Sequence, residues 1–251
     1  MRKVLAALYS VLVYGLFLGV FLYAIGFVEN ILVPKSIDSG PSGDIASSLL
    51  IDAALLTLFA LQHSIMARTG FKRVWTRIVP AEIERSTFVL FASLALALVC
   101  WQWRPLPQTV WSVDDPIGFR VLLVVSWMGW GLLLLSTFLI SHFHLFGVSQ
   151  GLARILGHAQ PEPAFVTPFL YRWLRHPLYA GFILAFWAAP HMTVGHLFFA
   201  IATTGYIFVG IWFEERDLVA YFGDRYRQYQ GSVGMLFPKL RTRSPRKGVA
   251  R

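Results

Sequence analysis

Five long apolar runs constrain this chain more than any other feature of its sequence. Each run is close to the roughly 20 residues that an α-helix needs to cross a bilayer. The runs are Val4 to Val28, Ile45 to Met66, Ser86 to Trp103, Val121 to Ile140 and Thr193 to Phe213. Hydrophobic residues make up 56% of the 251 residues and charged residues only 14%, well below the roughly 25% of soluble domains. We therefore predict an all-α fold, a polytopic transmembrane helical bundle.

A sixth apolar piece, Leu178 to Pro190, is too short to cross the membrane alone. It must be tilted, extended backward through Phe169 to Leu174, or partly re-entrant. A turn from Ala189 to Met192 joins it to the last span. We therefore predict five to six membrane segments with a helical hairpin near the C-terminus.

The charges of the connecting loops predict how the bundle is oriented, because Lys and Arg collect on the cytoplasmic side. The loop from Glu29 to Asp44 is mainly acidic, whereas the next loop is basic. Its basic residues are Arg68, Lys72, Arg73, Arg77 and Arg85. This alternation predicts that both termini are cytoplasmic, and we expect a bacterial inner membrane. The basic tail from Lys239 to Arg251 has no apolar pattern, which predicts a disordered segment drawn to anionic lipid.

Two minor features predict packing rather than chemistry. The single cysteine, Cys100, lies in an apolar run, which excludes disulfides and indicates a packing role. Gly15 and Gly19 have the small-xxx-small spacing that favours close helix packing. The sequence has no Gly-rich phosphate loop, and we expect no nucleic-acid partner.

Polar residues mark five helix ends, and the predicted topology brings all five to the cytoplasmic face. They are Gln62-His63-Ser64, Glu84-Arg85-Ser86, His142 with His144, Arg175-His176 and Glu214-Glu215-Arg216. Membrane interfaces tolerate single charges, but the recurrence of His and acidic residues predicts a cavity open to a cytosolic ligand.

Single residues at these ends also have plainer interpretations. His63 would make a helix-end hydrogen bond instead of lining the cavity. His142 and His144 have no carboxylate or cysteine near them in the sequence, so we predict no metal site. Asp52 lies in the outer half of its helix, and we leave it outside the site.

The stretch from Leu170 to Gly181 has the features of a ligand-binding helix start. Pro177 suits the first position of a helix and biases His176 toward extended backbone. The unpaired N–H groups and the positive dipole end of that helix would face an anionic group. Ionisable and aromatic side chains nearby are Tyr171, Arg175 and Tyr179. The alternative is an ordinary membrane helix with Arg at the lipid headgroups.

Two neighbouring acids, Glu214 and Glu215, end the last apolar span. Adjacent helical residues point in different directions, so one of the two can face inward. We favour Glu214 for the pocket and interpret Glu215 as a solvated interfacial pair with Arg216.

Several motifs together resemble the cofactor-binding half of the isoprenylcysteine carboxyl methyltransferase superfamily. They are Val166-Thr167, Tyr171, Arg175-His176-Pro177-Leu178-Tyr179-x-Gly181, Glu214-Glu215, Phe222-Gly223-x-x-Tyr226 and Phe237-Pro238. The N-terminal part is similar to the methanethiol-methylating branch of this superfamily, which is related to NnrU-type membrane proteins. Its motifs are Pro34-Lys35-Ser36-Ile37-Asp38, Leu61-Gln62-His63-Ser64, Phe71-Lys72, Trp75-Thr76-Arg77, Glu84-Arg85-Ser86-Thr87 and His144-Leu145-Phe146-Gly147.

The resemblance implies a cofactor, S-adenosylmethionine, held by the C-terminal segment at the cytoplasmic face. Carried over by position, its contacts are Phe165, Val166, Tyr171, Arg175, His176, Pro177, Leu178, Tyr179 and Glu214. The helix N-terminus or Arg175 suits the cofactor carboxylate, and Glu214 suits its ammonium. Tyr171 or Tyr179 suits the adenine.

The resemblance also implies the reaction, methyl transfer to methanethiol, a small volatile thiol, with dimethyl sulfide as product. His63 and His144 are candidates for taking the thiol proton, and Arg85 for stabilising the thiolate. The superfamily's prenylcysteine enzymes resemble one another in an Arg one turn before the Glu, where this chain has Gly210. A small neutral or thiol acceptor is therefore favoured over a carboxylate substrate.

We accordingly divide the chain into acceptor-side helices (1–150), a cofactor-binding half (151–238) and the tail (239–251). Two alternatives stay open at this point. One is a methyltransferase that acts on a lipid-like amine or a prenylated thiol. The other is a non-enzymatic NnrU-type membrane protein with His142 and His144 as ligands of haem or of a small molecule.

Overall fold

The computed structural model describes residues 2–41, 43–157 and 165–239. The helices are α1 (Arg2–Glu29), α2 (Ile45–Ala67), α3 (Thr69–Trp75), α4 (Ala81–Gln102), α5 (Pro116–Ile140), α6 (His142–Leu145), α7 (Val148–Leu156), α8 (Pro177–Trp187), α9 (Val194–Phe222) and α10 (Asp224–Ser232). A 3₁₀ turn covers Phe169–Arg172, and two short strands are β1 (Thr109–Ser112) and β2 (His191–Thr193). The predicted basic tail lies outside the described residues, apart from Lys239.

Five of these helices, α1, α2, α4, α5 and α9, are long and apolar enough to cross a membrane. The prediction of an all-α, polytopic transmembrane bundle is therefore confirmed. Several helices extend beyond their apolar runs, because charged residues are compatible with helix at a membrane surface. Helix α4 begins at Ala81, and α9 continues past its acidic pair to Phe222. Gly223 then ends α9 at φ 60°, a backbone angle that favours glycine.

The sixth apolar piece forms α8, a helix of only 11 residues. It does not extend backward as a continuous helix, because the preceding residues form the separate 3₁₀ turn. Helix α8 packs on α5 at backbone contact distance. A Cβ atom on Gly181 would lie 2.7 Å from the carbonyl oxygen of Gly129, and one on Gly129 would lie 2.6 Å from the amide nitrogen of Ala185. This contact between two glycines fixes the short helix inside the bundle.

Gly15 and Gly19, expected to support close helix packing, make no close contact with the described helices. Both are exposed on α1, and a Cβ atom added to either would meet no described atom within 4 Å.

Cys100 is buried in a core cluster that joins α1, α4, α5, α8 and α9. Large side chains of that cluster are Phe27, Trp103, Trp130, Phe186 and Phe199.

One end of the bundle is closed by a β-ribbon that the sequence analysis missed. Strands β1 and β2 pair antiparallel, with Trp111 opposite Met192. Each strand has only three or four residues, too few for a visible alternation of polar and apolar side chains. At the same end Asp52, fully buried, accepts a hydrogen bond of 2.8 Å from the backbone N–H of Arg104. Asp52 thus holds the end of α4, away from the polar helix ends described next.

Candidate active site

The polar helix ends meet at the opposite end of the bundle, here called the N-terminal end because α1 begins there. The Ser86 hydroxyl donates to Ser10 Oγ at 2.8 Å and joins α4 to α1. Arg68, which follows α2, forms a 3.2 Å ion pair with Asp217 of α9. Arg85 Nε donates to the Leu145 carbonyl at 2.7 Å and joins α4 to α6. The structure therefore brings together the helix ends that the predicted topology grouped.

A buried ion pair joins the start of α8 to α9. Arg175 Nε donates to Glu215 Oε1 at 2.6 Å, and His176 Nε2 lies 3.0 Å from the same oxygen. Gln230 of α10 donates to the other oxygen, Oε2, at 2.9 Å. The side chains of Arg175 and Glu215 are only 10% and 16% exposed. Both oxygens of Glu215 are therefore used to tie α8, α9 and α10 together.

The interpretation of Glu215 as a solvated pair with Arg216 is wrong. Glu215 points toward α8, and its cationic partner is Arg175. Arg216 instead lies over the ring of Trp212, at 5.7 Å. The physical reason is the rotation of α9 about its axis, which directs Glu215 rather than Arg216 toward the buried start of α8.

Arg175 also contacts backbone acceptors in the segment around the end of α10. Its Nη1 donates to the carbonyl oxygens of Gln230 and Val233, at 3.1 and 2.6 Å. Its backbone N–H donates to the Gly234 carbonyl. Because the guanidinium lies against these protein acceptors, Arg175 holds the segment after α10 in place. Of the two groups expected to suit a ligand carboxylate, the α8 N-terminus is the one without a side-chain partner.

Glu214, in contrast, keeps an accessible carboxylate. Its side chain is 45% exposed, and Oε2 accepts a 2.9 Å hydrogen bond from the Tyr179 hydroxyl. His176 Nδ1 lies 4.0 Å from the same oxygen. Burial, and to a smaller extent the charge of Glu214, raises the pKa of Tyr171, so the Tyr171 hydroxyl stays protonated and remains a donor. The acid that was favoured for the pocket is thus the more exposed of the pair.

Phe165, in the segment before α8, forms an aromatic cluster with rings of α9 and α10. Phe165 lies against the rings of Phe222, Tyr226 and Tyr229, with centroid distances of 5.3 to 6.0 Å. Val166 is exposed, Leu178 is half-buried and Pro177 is buried. Phe169 adopts φ 37°, a left-handed angle that is strained for a bulky residue, immediately before Tyr171.

These residues fit the charges of S-adenosylmethionine. The accessible carboxylate of Glu214 suits an ammonium, and the rings of Tyr171 and Tyr179 suit adenine. Helix α8 has no side-chain cap at its N-terminus, so its first N–H groups are available to a carboxylate.

The three catalytic candidates lie around a second group of contacts at the N-terminal end. The Phe88 ring contacts both His63, whose ring centroid is 5.0 Å away, and the Arg85 guanidinium, at 4.8 Å. Phe59 also stacks on His63, at 5.5 Å. His144 and Arg85 line one cavity. His63 Nδ1 is buried without a hydrogen-bond partner among the described residues, so the expected helix-end hydrogen bond of His63 is not made through this nitrogen.

A polar contact between α2 and α9 connects the two groups, and the sequence analysis missed it. The hydroxyls of Ser64 and Tyr206 lie 3.1 Å apart. Tyr206 stands two turns before Glu214 on the same side of α9, a spacing that could have drawn attention to it. Between them is Gly210, where an added Cβ would lie 3.9 Å from the Tyr179 hydroxyl. Gly210 therefore leaves space beside Tyr179 that a larger residue would fill.

His142 has a structural position that does not suit a metal or haem ligand. Its Nε2 lies 2.8 Å from the Tyr14 hydroxyl and its Nδ1 lies 2.7 Å from the Thr137 hydroxyl. Its ring stacks on Phe138 at 4.2 Å. Both nitrogens are occupied, so the haem-carrier alternative would require breaking one of these bonds. Among residues 2–41, 43–157 and 165–239, no cluster of three or more His, Cys, Asp or Glu side chains could hold a metal.

We expect acid to destabilise the protein through His142. Burial lowers the pKa of His142 in the folded protein, whereas the unfolded value is about 6.5. Below that pH the unfolded state binds the proton more readily, so stability falls as pH falls. Thermal unfolding in detergent at pH 7.5 and 5.5 should show a smaller acid loss for His142→Gln than for wild type. The control is His191→Gln, a substitution of an exposed histidine, which should lose as much stability in acid as wild type. If His142→Gln also lost as much stability in acid as wild type, the argument would be contradicted.

The structure defines an integral-membrane helical bundle with a cluster of charged and aromatic side chains at the N-terminal end of the bundle. No family model and no solved structure matches the chain. Methanethiol S-methyltransferase 1 of Bradyrhizobium diazoefficiens is 53% identical, over 96% of this chain and 84% of the relative. Methanethiol S-methyltransferase of Mycobacterium tuberculosis is 50% identical, over 95% of this chain and 98% of the relative. The chain belongs to the methanethiol S-methyltransferase family, which confirms the resemblance of its N-terminal motifs.

A more distant relative covers less of the chain. Nurim of Xenopus laevis is 32% identical, over 62% of this chain and 58% of Nurim. Its similarity therefore adds no information about the reaction.

Proposed function

We propose that this protein transfers the sulfonium methyl group of S-adenosylmethionine to methanethiol, giving dimethyl sulfide and S-adenosylhomocysteine. The observation that carries the proposal is the identity of about half, over nearly the whole chain, to enzymes named for this acceptor. We further propose a bacterial inner membrane with both termini in the cytoplasm, which would turn the N-terminal end of the bundle to a cytosolic cofactor.

The cofactor-binding half is proposed to comprise residues 151–238. S-adenosylmethionine supplies an electrophilic methyl group when it is bound. Glu214 binds the ammonium, and Tyr179 orients that carboxylate through its 2.9 Å hydrogen bond. The first N–H groups of α8 bind the carboxylate. Arg175 positions the start of α8 against α9 and α10. The aromatic and apolar contacts with the cofactor are assigned to Phe165, Val166, Tyr171, His176, Pro177 and Leu178.

The acceptor side is proposed to lie within residues 1–150. Arg85 stabilises the thiolate, since it brings a positive charge to a largely buried position. His144 lines the same cavity as Arg85 and accepts the thiol proton. His63 is the second candidate for that proton, because its free Nδ1 lies beside the Phe88 ring that Arg85 also contacts.

Headspace analysis above the purified protein tests the proposal directly. Dimethyl sulfide should accumulate only when S-adenosylmethionine and methanethiol are both supplied, with one S-adenosylhomocysteine formed per product molecule. The lipid-acceptor alternative is tested by adding a prenylated thiol or a phospholipid amine as a competing acceptor. If either were the true acceptor, it would be methylated in preference to methanethiol. Absence of dimethyl sulfide, together with absence of cofactor binding by calorimetry, would refute the proposed function.

Glu214→Gln should weaken the binding of S-adenosylmethionine roughly tenfold to hundredfold. The substitution keeps the shape of the side chain but removes the charge that pairs with the ammonium, and hydrogen bonds to charged groups contribute about 1.5–3 kcal/mol. Calorimetric titration with S-adenosylhomocysteine measures the effect without turnover. Asp224→Asn removes an acid that is 86% exposed in α10 and should leave the affinity unchanged. Equal affinities of Glu214→Gln and wild type would remove Glu214 from the site.

A further inference from the structure

A cavity of about 310 Å³ lies at the N-terminal end of the bundle between four helices. Its polar lining comes from Lys72 of α3, Glu84 and Arg85 of α4, His144 of α6 and Gln150 of α7. Such a volume suits a small organic molecule. Methanethiol, a single methyl group on sulfur, fills only a small part of it and offers no partner to most of this lining.

Two buried oxygen atoms of the cavity have unused hydrogen-bonding capacity. Glu84 Oε1 and Gln150 Oε1 are buried and have no hydrogen-bond partner among the described residues. A buried acceptor without a donor is energetically unfavourable, so a ligand that brings donors to these two oxygens would be stabilised. An ammonium is positively charged, opposite to the Glu84 carboxylate, and its three N–H groups can donate to both Glu84 Oε1 and Gln150 Oε1.

The same cavity lining also carries positive charge, on Lys72 and Arg85. Arg85 uses its Nε for the Leu145 carbonyl. Burial lowers the pKa of Lys72, while the nearby charge of Glu84 opposes this shift. Helix α3 also carries Arg73, but Arg73 is exposed and does not line the cavity. The lining thus offers two cations to a carboxylate and two acceptors to an ammonium.

From this juxtaposition of Lys72 and Arg85 with Glu84 and Gln150, we propose that the cavity binds an α-amino acid with a thiol side chain, of which cysteine is the smallest common example. With this ligand, unlike with methanethiol, Arg85 acts together with Lys72 on the carboxylate, and Glu84 and Gln150 hold the ammonium. The thiol then lies toward His144. The inference rests on the proposed function for the transfer step, but the binding site itself does not depend on that step.

Methylation of such a ligand is chemically balanced. The acceptor sulfur forms a bond to the methyl carbon of the sulfonium donor, and the bond between that carbon and the donor sulfur breaks. The electron pair of the broken bond stays on the sulfur of S-adenosylhomocysteine. The thiol proton leaves through His144 to solvent. The products are an S-methylated amino acid and S-adenosylhomocysteine.

Calorimetric titration of the purified full-length protein with L-cysteine tests the site. We expect binding at least tenfold tighter than that of 3-mercaptopropionate, which lacks the ammonium, and of cysteamine, which lacks the carboxylate. Glu84→Gln and Lys72→Met should each weaken cysteine binding at least tenfold. Arg73→Met, a charge loss on the same helix outside the cavity, should leave it unchanged. Equal binding of the three thiols, or no binding of cysteine, would overturn the inference.

Turnover separates failure of this inference from failure of the proposed function. With S-adenosylmethionine present, S-methylcysteine should form, and the ratio of kcat/KM for cysteine to that for methanethiol should fall at least tenfold in Glu84→Gln. A preparation that makes dimethyl sulfide but no S-methylcysteine would refute the acceptor class alone. A preparation that makes neither, but binds cysteine in a Glu84-dependent manner, would refute the proposed function and retain the site.

Discussion

Glu215→Ala is expected to destabilise the folded protein by about 3–5 kcal/mol and to abolish cofactor binding. Removing one partner of a buried ion pair leaves the other charge without compensation, which costs about that much. Arg175, 10% exposed, would lose its carboxylate, and Gln230 would lose an acceptor. Because Arg175 also holds the carbonyl oxygens of Gln230 and Val233, α10 and the segment after it should detach from the start of α8.

Denaturant unfolding in detergent and titration with S-adenosylhomocysteine measure the two effects. The neighbouring acid provides the matched control: Glu214→Ala should leave stability nearly unchanged, since its carboxylate is 45% exposed, but should weaken cofactor binding. A double variant, Arg175→Met with Glu215→Leu, removes both charges and should recover part of the lost stability. Wild-type stability of Glu215→Ala would show that the ion pair does not hold α8 and α9 together.

The two neighbouring acids illustrate what the sequence can and cannot predict about the site. The sequence identified Glu214 and Glu215 as an acidic helix end at the same membrane face as Arg175. It could not decide which acid faces α8, because consecutive helical residues differ by about 100° in direction and the rotation of α9 depends on packing by distant residues. The sequence therefore places both acids at the end of α9 where the structure has them, the cofactor site at this position stays a prediction, and the partner of Glu215 was assigned wrongly.

The acceptor side was less accessible to sequence reasoning. Arg85 and His144 were predicted from helix ends, whereas Lys72 and Gln150 received no role, since α3 and α7 are short and carry no membrane signal. Their positions depend on how these helices fold back against α4. The Tyr206 contact with Ser64 was missed for a related reason, because nothing local connects residues 142 positions apart.

Glycine spacing did not indicate where the described helices of this chain approach one another closely. Gly15 and Gly19 have the spacing that favours close packing, yet both are exposed on α1. Gly129 and Gly181, which make backbone contact, lie on different helices and share no motif. The spacing rule predicts which surface of a helix allows close approach, but only the partner helix decides whether the approach occurs.

Gly181→Ala should displace α8 and so remove cofactor binding as well as stability. The added Cβ would lie 2.7 Å from the Gly129 carbonyl oxygen and 2.8 Å from the Leu133 amide nitrogen. Both atoms belong to the backbone of α5, so no side chain can rotate away, and we expect a cost at the upper end of the roughly 1–3 kcal/mol that overpacking causes. His176 and Tyr179 begin the same helix and would move with it.

Thermal unfolding and titration with S-adenosylhomocysteine should therefore both report a loss for Gly181→Ala. Gly131→Ala is the matched control on α5, because a Cβ there meets no described atom within 4 Å, and alanine favours helix over glycine by about 1 kcal/mol. It should keep cofactor affinity and match or exceed wild-type stability. If Gly181→Ala behaved like Gly131→Ala, the close contact of α5 with α8 would not be what positions the cofactor-binding residues.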